Sequence, residues 1–483
     1  MSASLSKNRS YYIHSVIFVL IMAIFWILPS AGGITEMGMK VLGVFIGVLY
    51  GWIFIGFIWP SLLGMIVLGM TGYASVLEIF QAGMGDSTVV RVFFAFVFAG
   101  LLQATGLTNY IAEWCVSRKI CRGRPWVLIS VLFVASILTG AVNLYAGIVI
   151  MWSVFYGICG TVGLKKGDSI VSYVIVGIVI LNMMGSMALP FLPNSIIWRS
   201  MLQQDILNAY PAPMGALSIA ELLLLGSLFI GYFLAGKYIL RLKTDELRNL
   251  PEEYFEKVKH KKMNADQKFA MWTLIGFVFL LVAPMIMPEG AVRNFFSNID
   301  IVGASALMII LFLLKRTSEG KSVYDFGKMV FHGINWDIII LFAATMPISA
   351  AMEAEETGIV STIVGAIMPV FQSLSPVTFL IVCIIIFAIL TQVAHNLILG
   401  IVFTPVLAQI GIEMGISPYL FHLVTMWCLQ MGFMTPGASA QSALIFANTE
   451  WIDVKHSYKY TTLAVTTSLV MEFLMLPVLF IIF

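Results

Sequence analysis

Asn143-Leu144-Tyr145-Ala146-Gly147-Ile148-Val149 returns in the second half of the chain as Asn396-Leu397-Ile398-Leu399-Gly400-Ile401-Val402, with five identities in seven positions. A leucine–threonine pair precedes each copy, Leu138-Thr139 and Leu390-Thr391. Farther upstream, Thr105-Gly106 matches Thr357-Gly358, the glycines lying 37 and 38 residues before the asparagines. Downstream, Pro190…Asn194-Ser195 matches Pro436…Gln441-Ser442. Each match alone is weak. Their common order and spacing describe an internal duplication.

Two apolar arms flank the first copy, residues 125–138 and 147–163, of 14 and 17 residues. A helix needs about 20 residues to cross a bilayer, so neither arm is a full span. Between them Thr139-Gly140-Ala141-Val142-Asn143-Leu144-Tyr145 carries a glycine and two side chains that compete with the backbone. This predicts a re-entrant hairpin whose tip stops inside the membrane. Non-helical backbone survives at that depth only under cover of protein or a watery cavity. Residues 169–209 follow, broken at Met187–Ser195, where Pro190 and Pro193 remove helix hydrogen bonds. The second half repeats the plan, with a hairpin over 374–411 and a broken helix over 419–449.

Composition agrees. The chain has 483 residues, 60% hydrophobic and 11% charged, with a net charge of +2. Soluble domains carry roughly 25% charged residues, so a water-soluble enzyme and a disordered scaffold are excluded. A net charge this small cannot build the basic surface that nucleic acid requires. The expectation is an all-α polytopic membrane protein of about 11 transmembrane helices plus the two hairpins. The five cysteines form no CxxC pair and read as small membrane-helix residues. HExxH, GxSxG and Walker motifs are missing, and the chain is not read as an enzyme.

Basic residues gather on the cytoplasmic side of membrane proteins. Here they fall at Lys7–Arg9, Arg118–Arg124, Lys165–Lys166, Lys237–Lys268, Lys315–Lys328 and Lys455–Lys459, with acidic or neutral connectors between. The N-terminus is thus expected inside and the C-terminus outside. The helix over 88–117 ends inside at Arg118, whereas its counterpart near 335–360 starts inside after Lys328. The two copies are inverted. Inverted repeats with paired broken helices mark secondary transporters, whose sites lie where the copies meet.

On this order of hairpin, broken helix, linker, hairpin and broken helix, and on Gly333-Ile334-Asn335-Trp336 opening the second arm helix, the chain resembles the divalent anion/sodium symporter (DASS) family of the ion transporter superfamily. The resemblance covers essentially the whole length. Where that family has a Ser-Asn-Thr signature at each hairpin tip, this chain has Val142-Asn143-Leu144 and His395-Asn396-Leu397, so only the asparagines match. Pro193 and Asn194 are kept in the broken helix, with Phe191 where a hydroxyl is usual. The resemblance implies a homodimer working as an elevator. A scaffold (1–124 and 266–365) would hold a transport domain (125–240 and 366–483), with a cytoplasmic linker at 241–265. It further implies import of a small organic anion, a di- or monocarboxylate, coupled to sodium or protons, in a prokaryotic inner membrane.

The chemistry expected at the site is mostly uncharged. Asn143 and Asn396 each offer an amide oxygen to a hard cation and amide hydrogens to an anion. Thr139, Pro190, Thr391 and Gly437 join them as candidate sodium ligands, because prolines and unwound backbone leave carbonyls unpaired. Leu144, Tyr145 and Leu397 accompany the tips. Asn194, Ser195, Gln441 and Ser442 form the opposite wall, with Thr435 and Ser439 beside it. His395 is the one titratable group at a tip and could take a proton near neutral pH. Arg199 either faces an anion or reaches outward toward Asp205, and Glu472, midway along the last helix, is a proton relay or a partner for Arg199. Competing readings are an anion exchanger, a sodium/proton antiporter and, from another class, a channel. The antiporter would want a buried aspartate pair, which the tips lack, and opposed hairpins plug a pore.

Overall fold

A threonine followed by a glycine stops a helix in the same way in each half of the chain. Thr105 donates its hydroxyl to the Leu102 carbonyl at 2.6 Å, and Thr357 donates to the Ala354 carbonyl at 2.7 Å. The next residue is left-handed, with φ 72° at Gly106 and φ 66° at Gly358, a conformation that costs any residue with a Cβ. The helix expected over 88–117 is therefore two, α5 (Ser87–Ala104) and α6 (Leu107–Val116).

The computed structural model describes residues 2–202, 204–251, 262–316, 320, 322–327, 334–359, 361–362, 365–366, 374–392, 395–436 and 438–483, and the regular elements among them are all helices. Before α5 come α1 (Ser2–Phe25), α2 (Glu36–Phe54), α3 (Ile58–Met70) and α4 (Val76–Met84). The last is a short helix in the stretch whose acidic residues predict only a connector. It starts at a capping box, in which Ser75 and Glu78 satisfy each other's backbone N–H. Ten described helices are long and apolar enough to cross a membrane.

The first hairpin is α7 (Pro125–Val142) and α8 (Leu144–Val162). Its arms are longer than expected, and both are among those ten. Two local features keep α7 helical through the glycine. Thr139 returns its hydroxyl to the Ser136 carbonyl at 3.1 Å, and Gly140 lies so close to the next helix that a Cβ there would fall 1.9 Å from the Asn182 carbonyl oxygen. Only Asn143 leaves the helix, in extended conformation. The first broken helix is α9 (Ser169–Gly185) and α10 (Pro193–Arg199), followed by α11 (Gln204–Ala209) and α12 (Met214–Leu234). A short α13 (Asp245–Arg248) opens the polar linker, whose residues 252–261 lie outside the described ones.

The second half follows as α14 (Ala265–Ile286), α15 (Ala291–Leu314) and α16 (Trp336–Glu353). The second hairpin is α17 (Pro376–Leu390) and α18 (Asn396–Glu413); the second broken helix is α19 (Pro418–Leu429) and α20 (Ala440–Ala447); α21 (Val454–Ile482) ends the fold.

Two layers of packing emerge. In one, α1, α2, α3, α4 and α16 pack in succession, and α5 lies on α15, which lies on α14. In the other, α7 lies along α9, α12 along α21, and α17 and α18 against α19. Every residue from Ile170 to Gly185 in α9, and every residue of α19, is buried. A helix apolar all round belongs at the centre of the structure. The first halves of the two broken helices are thus the core, and each leads to an unwound segment at its C-terminal end.

Candidate functional site

At the first tip Asn143 does two jobs with one amide. Its Oδ1 accepts from the Ala146 N–H at 3.0 Å and caps α8, while Nδ2 donates to Oε1 of Gln103 on α5 at 3.0 Å. At the second tip the amide of Asn396 is buried. Nδ2 donates to Oε1 of Gln430 at 2.9 Å, and Oδ1 accepts from the Leu397 N–H at 2.8 Å. Gln430 also donates to Sδ of Met187, in the other unwound segment, at 3.0 Å. Through Gln430 the second repeat therefore touches the first beside its own tip.

The unwound segments are held by polar side chains because they have no helical partners. In the first, Asn194 donates to the Ser186 hydroxyl at 2.9 Å, and the Pro190 carbonyl accepts from Arg199 at 2.9 Å. In the second, one glutamine does most of this. Gln392 donates to the Ala388 and Met431 carbonyls, both at 2.9 Å, and accepts from the N–H groups of Phe433 and Met434 at 3.2 and 2.9 Å. Ser439 caps α20 at the Ser442 N–H and donates to the Gly432 carbonyl, and Ser442 donates to the carbonyls of Phe433 and Thr435.

A cavity of about 300 Å³ lies between the tips. Of the residues expected to bind substrate, Asn143, Leu144, Tyr145, Asn194, His395, Asn396, Leu397 and Gln441 line it. Gln441 and Tyr145 face each other at 3.5 Å. Thr435, Ser439 and Ser442 are spent on the unwound backbone instead. Ser195 turns away to donate to Oε1 of Glu221 at 2.8 Å. Of the sodium candidates, Thr139 and Thr391 are buried behind the tips, the latter donating to the Leu429 carbonyl at 2.7 Å. Gly437 and Gly333 lie outside the described residues.

Among the described residues no lysine or arginine lines this cavity; its titratable side chains with a charge to offer are His395 and Asp337. The His395 Nδ1 is buried with no hydrogen-bond partner, and the ring meets Phe57 edge-on, centroids 5.6 Å apart. What the cavity has instead is helix starts. Leu144 and Tyr145 open α8, Asn396 and Leu397 open α18, and Ala440 and Gln441 open α20. Helix N-termini present free N–H groups and the positive end of the helix dipole, so an anion can be held here without a basic side chain.

Several lining or bracing groups were not foreseen: Gln103, Gln430, Gln392, Asp337 and Glu221. Each glutamine sits in an apolar run, and a buried amide must find partners, which was the available signal. The reading that pairs Arg199 with Asp205 falls on a side chain outside the described residues; Arg199 donates to the Pro190 carbonyl at 2.9 Å and contacts Sδ of Met214 at 3.7 Å. Glu472 is fully buried in α21 with neither oxygen hydrogen-bonded. Among the described residues no group of three His, Cys, Asp or Glu side chains could hold a metal ion.

The sequence profile of a family described as citrate transporter matches residues 44–424. The chain is 25% identical over 209 residues to the sodium-dependent low-affinity dicarboxylate transporter 1 of Caenorhabditis elegans, covering 39% of this chain and 35% of that one. It is 24% identical over 251 residues to the Na(+)/dicarboxylate cotransporter 3 of Rattus norvegicus, covering 47% and 41%. The chain thus spans well under half the length of these relatives. Among solved structures it is similar to the YdaH transporter of Alcanivorax borkumensis, with a TM-score of 0.56 at 13% identity over 91% of this chain and 97% of that one. That likeness is one of fold.

Proposed function

The chain belongs to the citrate transporter family, and from that premise we propose that it is a secondary active transporter importing a small di- or tricarboxylate. The observation that carries this reading is the single cavity onto which both hairpin tips and the second halves of both broken helices open. Its volume of about 300 Å³ lies at the lower end of the range for small-ligand sites, roughly 300–1,000 Å³. The anion's carboxylates would meet the helix starts of α8, α18 and α20 and the amides of Asn143, Asn194, Asn396 and Gln441.

Sodium is the coupling ion we favour, as in the relatives named above. Its fit is testable on one atom. Asn182 donates to the Ser136 carbonyl at 3.0 Å and to the Thr139 hydroxyl at 3.2 Å, yet its own Oδ1 is buried without a partner. A buried amide oxygen left free beside Thr139 suits a hard cation, which takes oxygen ligands. A proton is the second reading, favoured by the unpartnered Nδ1 of His395 inside the cavity.

Movement would follow the two packing layers, with residues 1–124 and 266–365 as the static scaffold and 125–240 and 366–483 as the mobile part of a homodimer. The chain would sit in a prokaryotic inner membrane, and by the distribution of basic residues its N-terminus would be cytoplasmic and its C-terminus external. The test is uptake of labelled citrate and succinate into proteoliposomes under an imposed sodium or proton gradient. We expect saturable, concentrative uptake that needs the sodium gradient and that Asn182→Ala makes far less responsive to sodium. Uptake indifferent to collapse of both gradients would point to exchange or uniport.

A further inference from the structure

A second and larger cavity, of about 860 Å³, lies on the other side of α10 from the first. Helical geometry makes α10 a wall between the two. Asn194, Ile197 and Trp198 face the tip cavity, whereas Ile196, Arg199 and Ser200 face the larger one, as expected for positions about half a turn apart. The two cavities are separated by one helix, roughly 10 Å thick. The larger one is bounded by the N-terminal part of α5 and by α14 and α15, so by the distribution of basic residues it opens outward.

Its charge is what the tip cavity lacks. Among the described residues three arginines line it, Arg91, Arg199 and Arg293, against one carboxylate, Asp300. Arg91 is held by Asp300, with Nε and a terminal guanidinium nitrogen each 3.0 Å from the same oxygen, Oδ2. Arg293 has only a 3.5 Å contact with Glu289, one turn away and 94% exposed, a pairing worth little in water. Arg199 is half-buried; it donates to the Pro190 carbonyl and contacts Sδ of Met214, and the buried carboxyl of Glu221 is near enough to attract it. A positive charge at this depth is costly, and the Glu221 carboxyl that attracts it is shared with Ser195, at 2.8 Å.

Asp300 is itself unusual. It interrupts α15 with φ 49° and ψ 179°, in the left-handed half of the map where a residue with a Cβ is strained. The strained backbone aims its carboxylate at Arg91 across the cavity wall. An aspartate so placed mimics an incoming carboxylate.

We propose that this vestibule is a second binding site for the carboxylate, distinct from the tip cavity, in which Arg199 and Arg293 hold the anion and Arg91 exchanges its Asp300 partner for it. It draws the anion from solution to within one helix of the tips, where no described lysine or arginine lines the cavity. The identity of the anion rests on the function proposed above; the existence of the site does not.

The experiment is equilibrium binding of labelled citrate to the purified full-length chain at low ionic strength, with stoichiometry per protomer. Two equivalents are expected. Arg293→Gln combined with Arg91→Gln should remove one, and Asn396→Ala should remove the other. In uptake assays Arg293→Gln alone should raise KM about tenfold at low salt with kcat unchanged, and the difference should vanish at high salt, as for electrostatic steering. A single equivalent in the native protein, or two that survive the arginine substitutions, overturns the vestibule. Loss of one equivalent in the arginine variants together with absent uptake would leave the vestibule standing and sink the transport reading. Displacement of the vestibule equivalent by phosphatidylglycerol in nanodiscs, with no displacement by unlabelled citrate, would assign the site to a lipid headgroup and overturn the proposal.

Discussion

The Asn396 side chain donates to Oε1 of Gln430 at 2.9 Å, so the tip of the second hairpin is tied to the first residue of the unwound segment that faces it. Because Gln430 also reaches Met187, one glutamine links both halves of the repeat at the cavity. Replacing it by leucine strands a buried amide, which costs about 1–3 kcal/mol, and frees the tip. Gln430→Leu is expected to lower the melting temperature and cut citrate uptake more than tenfold. Normal uptake by a folded Gln430→Leu protein would show that the link is dispensable.

Ser195 and Glu221 make a buried pair at 2.8 Å, and the second carboxyl oxygen of Glu221 has no partner. Removing the serine alone leaves the carboxyl with no hydrogen bond at membrane depth, at a cost of about 1–3 kcal/mol, whereas replacing both partners by apolar groups is nearly neutral. A double-mutant cycle of Ser195→Ala and Glu221→Leu, read by thermal unfolding in detergent, should show this non-additivity. Additive losses would mean that the two side chains act separately.

Gly140 seats the first hairpin on α9, with a hypothetical Cβ only 1.9 Å from the Asn182 carbonyl oxygen, while Gly157 on the second arm faces open space. Gly140→Ala must push the hairpin off its helix, an overpacking cost of about 1–3 kcal/mol. Uptake should be lost in Gly140→Ala and kept in Gly157→Ala. Equal behaviour of the two variants contradicts the packing account.

His395 faces the cavity without a partner for Nδ1. If the imidazolium helps hold the anion, uptake falls as pH rises through the titration of the ring, because the neutral form offers no charge. His395→Gln should flatten that profile at a fixed sodium gradient. An unchanged profile assigns the pH dependence elsewhere.

Much of this architecture was legible in the order of residues, because the features that betray it are polar groups and breakers standing in apolar runs. Asn143, Asn396 and the two threonine–glycine pairs are of that kind, and the glycines at 106 and 358 share a left-handed φ. The hairpin arms were read too short, since a glycine beside a threonine looks like a break until the neighbouring helix that needs it is known. The bracing of the site was not legible. Ser195 and Glu221 are 26 residues apart, and Asn143 and Gln103 are 40. Nothing local couples such residues, and only the tertiary packing of α5, α10 and α12 brings them together. For the same reason Ser442, expected in the wall, and Thr435 and Ser439, expected beside it, are engaged with backbone and not with the cavity.

The central claim is that carboxylate binds between the hairpin tips. Citrate affinity measured on the purified native protein and on the Asn143→Ala/Asn396→Ala variant, in sodium and at high ionic strength to suppress the vestibule, tests it most directly. The account predicts at least a tenfold loss of affinity in a variant that still elutes as a folded membrane protein. Undiminished affinity in that variant would contradict it.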